Sequence, residues 1–73
     1  MARYKATLEW ITNEGVEERT LFGISGRQKT ILLATWRRDK GWFEHKQPGG
    51  SLMCLKPFTA TALRIEREDS DGN

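Results

Sequence analysis

The four residues Ser25-Gly26-Arg27-Gln28 constrain this chain more than any others, because they spell a capping box. The Ser25 hydroxyl can accept from the Gln28 amide while the Gln28 side chain reaches back to the Ser25 amide. The run from Ser25 to Gly41 then reads as one helix. Gln28, Ile31, Leu32, Thr35 and Trp36 recur at i, i+3 and i+4 and share a face. Arg37, Arg38 and Lys40 gather in the last turn, where cations suit the negative end of the helix dipole. Gly41 stands where a left-handed cap residue is wanted. A rival pattern runs through the same residues. Thr30 to Trp36 is rich in β-branched residues, and Arg38-Asp39-Lys40-Gly41 can make a hairpin turn.

The flanking segments have period two. From Arg3 to Ile11, Tyr4, Ala6, Leu8 and Trp10 alternate with Arg3, Lys5, Thr7 and Glu9, the clearest strand of the chain. Thr12-Asn13-Glu14-Gly15 is a turn in which Asn and Gly can both take positive φ. Val16 to Phe22 returns as a second strand whose charges suit a sheet edge, and Gly23 to Gly26 leads into the helix. Trp42 to Lys46 and Ser51 to Lys56 read as short strands around a Gln47-Pro48-Gly49-Gly50 loop. Phe58 to Arg67 reads as the last long strand. The predicted fold is α+β, a small antiparallel sheet with one helix packed across it in ββαβββ order. The alternative is a small SH3-like all-β barrel. The expected core is Tyr4 or its neighbours Ala6 and Leu8, with Trp10, Leu21, Ile31, Leu32, Trp36, Leu55, Leu63 and Ile65. Residues 1–68 form one compact domain, and Asp69 to Asn73 is read as a disordered acidic tail.

Length and composition narrow the function. Seventy-three residues, 37% hydrophobic and 30% charged, make one small domain with a thin core. No run approaches the roughly 20 apolar residues of a membrane span, and the N-terminus has no apolar block of the signal-peptide kind. One cysteine, Cys54, cannot make an internal disulfide, which fits a cytoplasmic protein. The net charge of +2 is unevenly spread. Six basic residues lie between Arg27 and Lys46 against Asp39 and Glu44, whereas the end of the chain is acidic.

Catalytic constellations are thin. His45 is the only histidine, and Glu44 beside it points to the other face of a strand, so no acid–base pair forms. His45 reads as a surface residue and Cys54 as a small buried hydrophobe. One His and one Cys fall short of a metal site. Gly26-Arg27-Gln28-Lys29-Thr30 echoes the end of a phosphate loop without its spacing. The reading is a non-enzyme with no cofactor.

What remains is a surface. Arg37, Arg38, Trp42, His45 and Lys46 interleave cations with an aromatic. Such a patch meets carboxylates of a protein or phosphates and bases of a nucleic acid. It can also be no more than a well-capped helix end with Trp42 covering the core.

The segments RYKATLEWITNEGVEERTLF, GRQKTILLATWRR and DKGWFEHKQPGG together resemble the small RNA-polymerase-binding transcription regulators and antiterminators of lytic Xanthomonas phages. The resemblance covers size, single-domain layout and basic balance along the whole chain, without a short motif, so no binding residue is carried over. It implies a phage-encoded protein that binds the host RNA polymerase, inhibits initiation by interfering with the sigma factor and promotes antitermination. It implies a protein partner in the host cytoplasm, with nucleic acid possible in the same complex. The residues themselves add no membrane contact and a monomer. The alternative function is a small nucleic-acid-binding module, and a third reading is an accessory protein that oligomerises through its polar edge strand.

Overall fold

The computed structural model describes residues 2–38 and 41–68. The expected acidic tail lies outside these residues. The fold is α+β in ββαβββ order: β1 (Arg3–Thr12), β2 (Gly15–Ser25), α1 (Gly26–Arg37), β3 (Phe43–Lys46), β4 (Leu52–Leu55) and β5 (Ala62–Arg67), with a single 3₁₀ turn at Pro57–Thr59 before β5. The barrel alternative fails because Thr30 to Trp36 is helical. The strands form two units rather than one sheet. A three-stranded antiparallel sheet has the order β2-β1-β5, and β3 and β4 make a separate hairpin.

The capping box forms as the sequence requires. The Gln28 amide donates to Ser25 Oγ at 3.2 Å, and the Ser25 amide donates to Gln28 Oε1 at 3.2 Å. Two amides that would otherwise be orphaned at the helix start are thereby satisfied. The other end departs from expectation. Of the basic residues expected there, Arg37 lies in the last turn, Arg38 is an extended C-cap whose amide donates to Ala34 O at 3.0 Å, and Lys40 lies outside the described residues. Gly41 does take positive φ, but it is not the helix cap.

In β1, Ala6 and Leu8 face the core with no exposure. They pair with Leu21 and Arg19 of β2 and with Ile65 and Leu63 of β5. The opposite face carries Lys5, Arg64 and Glu66, joined by exposed ion pairs of 3.2 and 3.3 Å. In the first turn Asn13 keeps negative φ, and Gly15 alone takes the positive value, +127°. β2 runs three residues further than its polar sequence suggests. Its register with β1 shifts between Tyr4 and Ala6, and Gly23 in β2 takes φ +68°. A left-handed residue at a bulge bends a strand. The bend lets Ile24 enter the core and delivers Ser25 to the helix start.

Leu32 and Thr35 are buried under α1. Ile31, expected in the core, is 47% exposed. The helix leans toward the 3₁₀ turn through Trp36, whose Nε1 donates to Ala60 O at 3.2 Å. Ile31 lies on the opposite flank, and a sheet of three strands is too narrow to cover both. Lys29 sits over the Tyr4 ring at 4.2 Å, a cation–π contact that fastens the first turn to β1. The last strand begins at Ala62, not Phe58, because buried Pro57 opens the 3₁₀ turn. Leu8, Leu21, Ile24 and Leu32 are the largest fully buried aliphatic side chains, each worth about 1.5–3 kcal/mol of transfer free energy.

Candidate functional site

β1 and β2 stay paired out to Thr12 and Gly15, whereas β1 and β5 part after Glu9 and Ala62. The tip of the first hairpin therefore projects past the sheet. Alternation puts Trp10, Glu17 and Arg19 on its inner face and Ile11 and Val16, both well exposed, on its outer face. The inner face and the β3–β4 hairpin enclose an open groove of about 450 Å³. Trp10, Arg19, Trp42, Met53, Leu55 and Lys56 line it, with Thr12, Glu17, Cys54 and Thr59 completing the lining.

Trp10 is held rigidly. Its Nε1 donates to Thr59 Oγ1 at 2.8 Å, and that hydroxyl donates to Lys56 O at 2.7 Å. Trp10 and Trp36 thus grip the 3₁₀ segment from the sheet and the helix. Trp42 is 66% exposed, so its indole is a free wall of the groove. Arg19 and Lys56 bring two cations against Glu17, which leaves the groove apolar with a positive rim. Such a lining can stack on planar groups and accept carboxylates or phosphates.

The residues expected at the binding surface do not all share one face. Arg37 and Arg38 are exposed at the end of α1, and Lys46 is exposed at the end of β3. Trp42 lies in the groove. His45 is not a surface residue: it is 5% exposed. In β3, Phe43 and His45 point inward while Glu44 and Lys46 point outward. His45 is tolerated inside because its Nε2 donates to the carbonyl of Phe22. Its Nδ1 is buried without a hydrogen-bond partner among the described residues. Cys54, expected inside, is exposed. It pairs with outward-facing Glu44 across the hairpin, so the same alternation that buries His45 exposes Cys54.

The sequence reading missed Arg19, Lys56 and Met53 as groove residues and placed Trp10 in the core. The signal for Arg19 was present: it shares a face with Leu21 by period two. Lys56 and Met53 arrive through the folding of the second hairpin, which no local pattern announces. Among the described residues no group of three or more His, Cys, Asp or Glu could hold a metal ion, and no helix is long and apolar enough to cross a membrane. Comparison with protein-family models, curated proteins and solved structures finds no match.

Proposed function

We propose that this chain is a non-enzymatic, phage-encoded regulator that works in the host cytoplasm by binding RNA polymerase. In this reading it inhibits initiation by interfering with the sigma factor and promotes antitermination, as the resemblance of its sequence implies. The observation that carries the binding role is Trp42, two-thirds exposed beside the Arg19–Lys56 rim. Trp and Arg are the residues that most often dominate binding energy, and they do so where a pocket excludes water around them. Arg37 and Arg38 at the helix end extend the cationic surface, and Arg forks match carboxylates of a protein partner.

The test is binding of the purified chain to host polymerase holoenzyme, with transcription measured in parallel. Trp42→Ala and the Arg37→Glu/Arg38→Glu pair are each expected to weaken binding about tenfold or more and to restore initiation. Both leave the core untouched. If the folded variants bind and inhibit as the parent does, the interface is elsewhere.

A second reading rests on a specific feature, the two indoles beside two cations in one groove, which would suit a single-stranded nucleic acid. Salt separates the two. Affinity for nucleic acid falls steeply and log-linearly with salt through counterion release, whereas an interface with an apolar centre changes less.

A further inference from the structure

The two edges of the three-stranded sheet are treated differently by the fold. On β2, the residues whose amides and carbonyls point away from β1 include Thr20 and Phe22, and side chains of the second hairpin meet them. His45 Nε2 donates to Phe22 O, the Phe22 amide donates to Gln47 Oε1 at 3.0 Å, and Gln47 Nε2 donates to Thr20 O at 3.1 Å. Side chains thus stand in for a neighbouring strand. On β5, Leu63 and Ile65 have no such cover among the described residues. Arg3 and Glu68 continue the β1–β5 register, and the Glu68 amide donates to Arg3 O at 2.8 Å. Hydrogen-bonded pairs in an antiparallel ladder alternate, so Glu66 and Arg64 also point their main-chain groups at β1. The amides and carbonyls of Leu63 and Ile65 therefore face away from the sheet, and no group among the described residues meets them.

We propose that β5 pairs with β5 of a second copy of this chain, antiparallel and with the two-fold axis at Ile65. The charges choose this register. With Ile65 opposite Ile65 of the other copy, Arg64 stands opposite Glu66 and Glu66 opposite Arg64 on the outer face. An axis at Leu63 would set Arg64 against Ala62 and leave Glu66 outside the pairing. The Ile65 pair is a hydrogen-bonded one, because its main-chain groups point outward. The Arg64–Glu66 pairs are then of the closer, non-hydrogen-bonded kind, where cross-strand side chains interact most. On the core face Leu63 and Ile65 are only partly buried, and the second copy covers what the thin sheet leaves open. The product is a six-stranded sheet.

A six-residue edge buries far less than the about 1,600 Å² of a standard interface, so the dimer is weak and concentration-dependent. It departs from the monomer expected from the sequence. It is independent of which partner the Trp42 groove engages.

Sedimentation equilibrium of the full chain from about 10 µM to about 1 mM spans the range for such contacts. The wild type is expected to rise toward dimer mass. Arg64→Glu puts glutamates opposite each other, and Glu66→Arg puts arginines opposite each other, so each variant alone is expected to associate roughly tenfold more weakly. An equimolar mixture of the two is expected to associate again, because every cross-strand pair becomes opposite in charge. The double variant is expected to recover too. Circular dichroism checks that each is folded, and the ion pairs within the chain are exposed ones whose loss costs little. Hydrogen exchange gives a second readout: the Ile65 amide is expected to slow as protein concentration rises. The proposal is overturned if the wild type stays monomeric throughout. It is also overturned if the single variants associate like the parent, if their mixture does not recover, or if Ile65 exchange ignores concentration.

Discussion

Through its Nε2, His45 donates to the main-chain carbonyl of Phe22, 23 residues earlier in the chain. With Gln47 it fastens the β3–β4 hairpin to the outer edge of β2. A carbonyl can only accept, so the proton sits on Nε2. An imidazole that reads as a surface feature in the sequence is instead a structural clip.

Replacing it is therefore costly. His45→Ala removes a buried ring and leaves the Phe22 carbonyl without its donor, and a loss of about 2 kcal/mol is expected. In a domain of this size that lowers Tm by about 10 °C, read by thermal denaturation followed by circular dichroism. Lys46→Ala, one residue on and facing out, is expected to change Tm by little.

The two neighbouring aliphatics of α1 are expected to behave oppositely. Leu32→Ala opens a cavity in the core and is expected to lower stability by about 2–4 kcal/mol. Ile31→Lys touches an exposed flank and is expected to stay within about 0.5 kcal/mol of the parent. Urea denaturation of the two variants checks the orientation of the helix directly.

Gly23 is where β2 bends. A Cβ there would meet Pro48 Cγ at 3.4 Å, and φ is +68°. Gly23→Ala is expected to cost about 1–2 kcal/mol, mostly from the left-handed backbone. Gly23→Asn is expected to cost less, because Asn tolerates that region better. The same denaturation assay separates them.

Cys54 offers a chemical probe of the groove. Because it is exposed, it is expected to react with a thiol reagent in native buffer without denaturant, and Cys54→Ser is expected to leave stability within about 0.5 kcal/mol. A bulky maleimide on Cys54 lies along the groove wall. Under the proposed polymerase binding, it is expected to weaken that binding as Trp42→Ala is expected to, and polymerase is expected to shield the thiol from labelling.

The order of elements was legible wherever the pattern is local. Ser25 and Gln28 name their own helix start, and the alternation through Ala6, Leu8 and Trp10 names β1. Legibility stops where position depends on distant chain. Ile31 and Leu32 are equally apolar, and only the lean of α1 toward the 3₁₀ turn tells them apart. Phe58 and Thr59 have strand-like composition, but Pro57 and the Trp10–Thr59 bond hold them in a tight turn. For the groove, Trp42 was singled out in sequence and Arg19 was recoverable from its parity with Leu21. Met53 and Lys56 were not, because the β3–β4 hairpin docks by contacts 20 to 30 residues apart (Gln47 to Thr20 and Phe22). His45 and Cys54 were exchanged for a single reason: the phase of β3 decides both, and four residues are too few to reveal a phase.

That hairpin has a consequence for motion. The three-stranded sheet is joined by main-chain ladders, interrupted by the bulge opposite Tyr4 and Ala6, whereas β3 and β4 are bonded in a ladder only to each other. Their hydrogen bonds to β2 run through the side chains of two residues, His45 and Gln47, beside the packing of Phe43 and Leu55 into the shared core. Such a unit is expected to open on its own, at a free energy below that of global unfolding. Amides of Phe43 and Leu55 then exchange with solvent sooner than those of Leu8 and Leu21. Since one wall of the groove is carried on this flap, the span between the Trp10 and Trp42 indoles is expected to change when the hairpin opens.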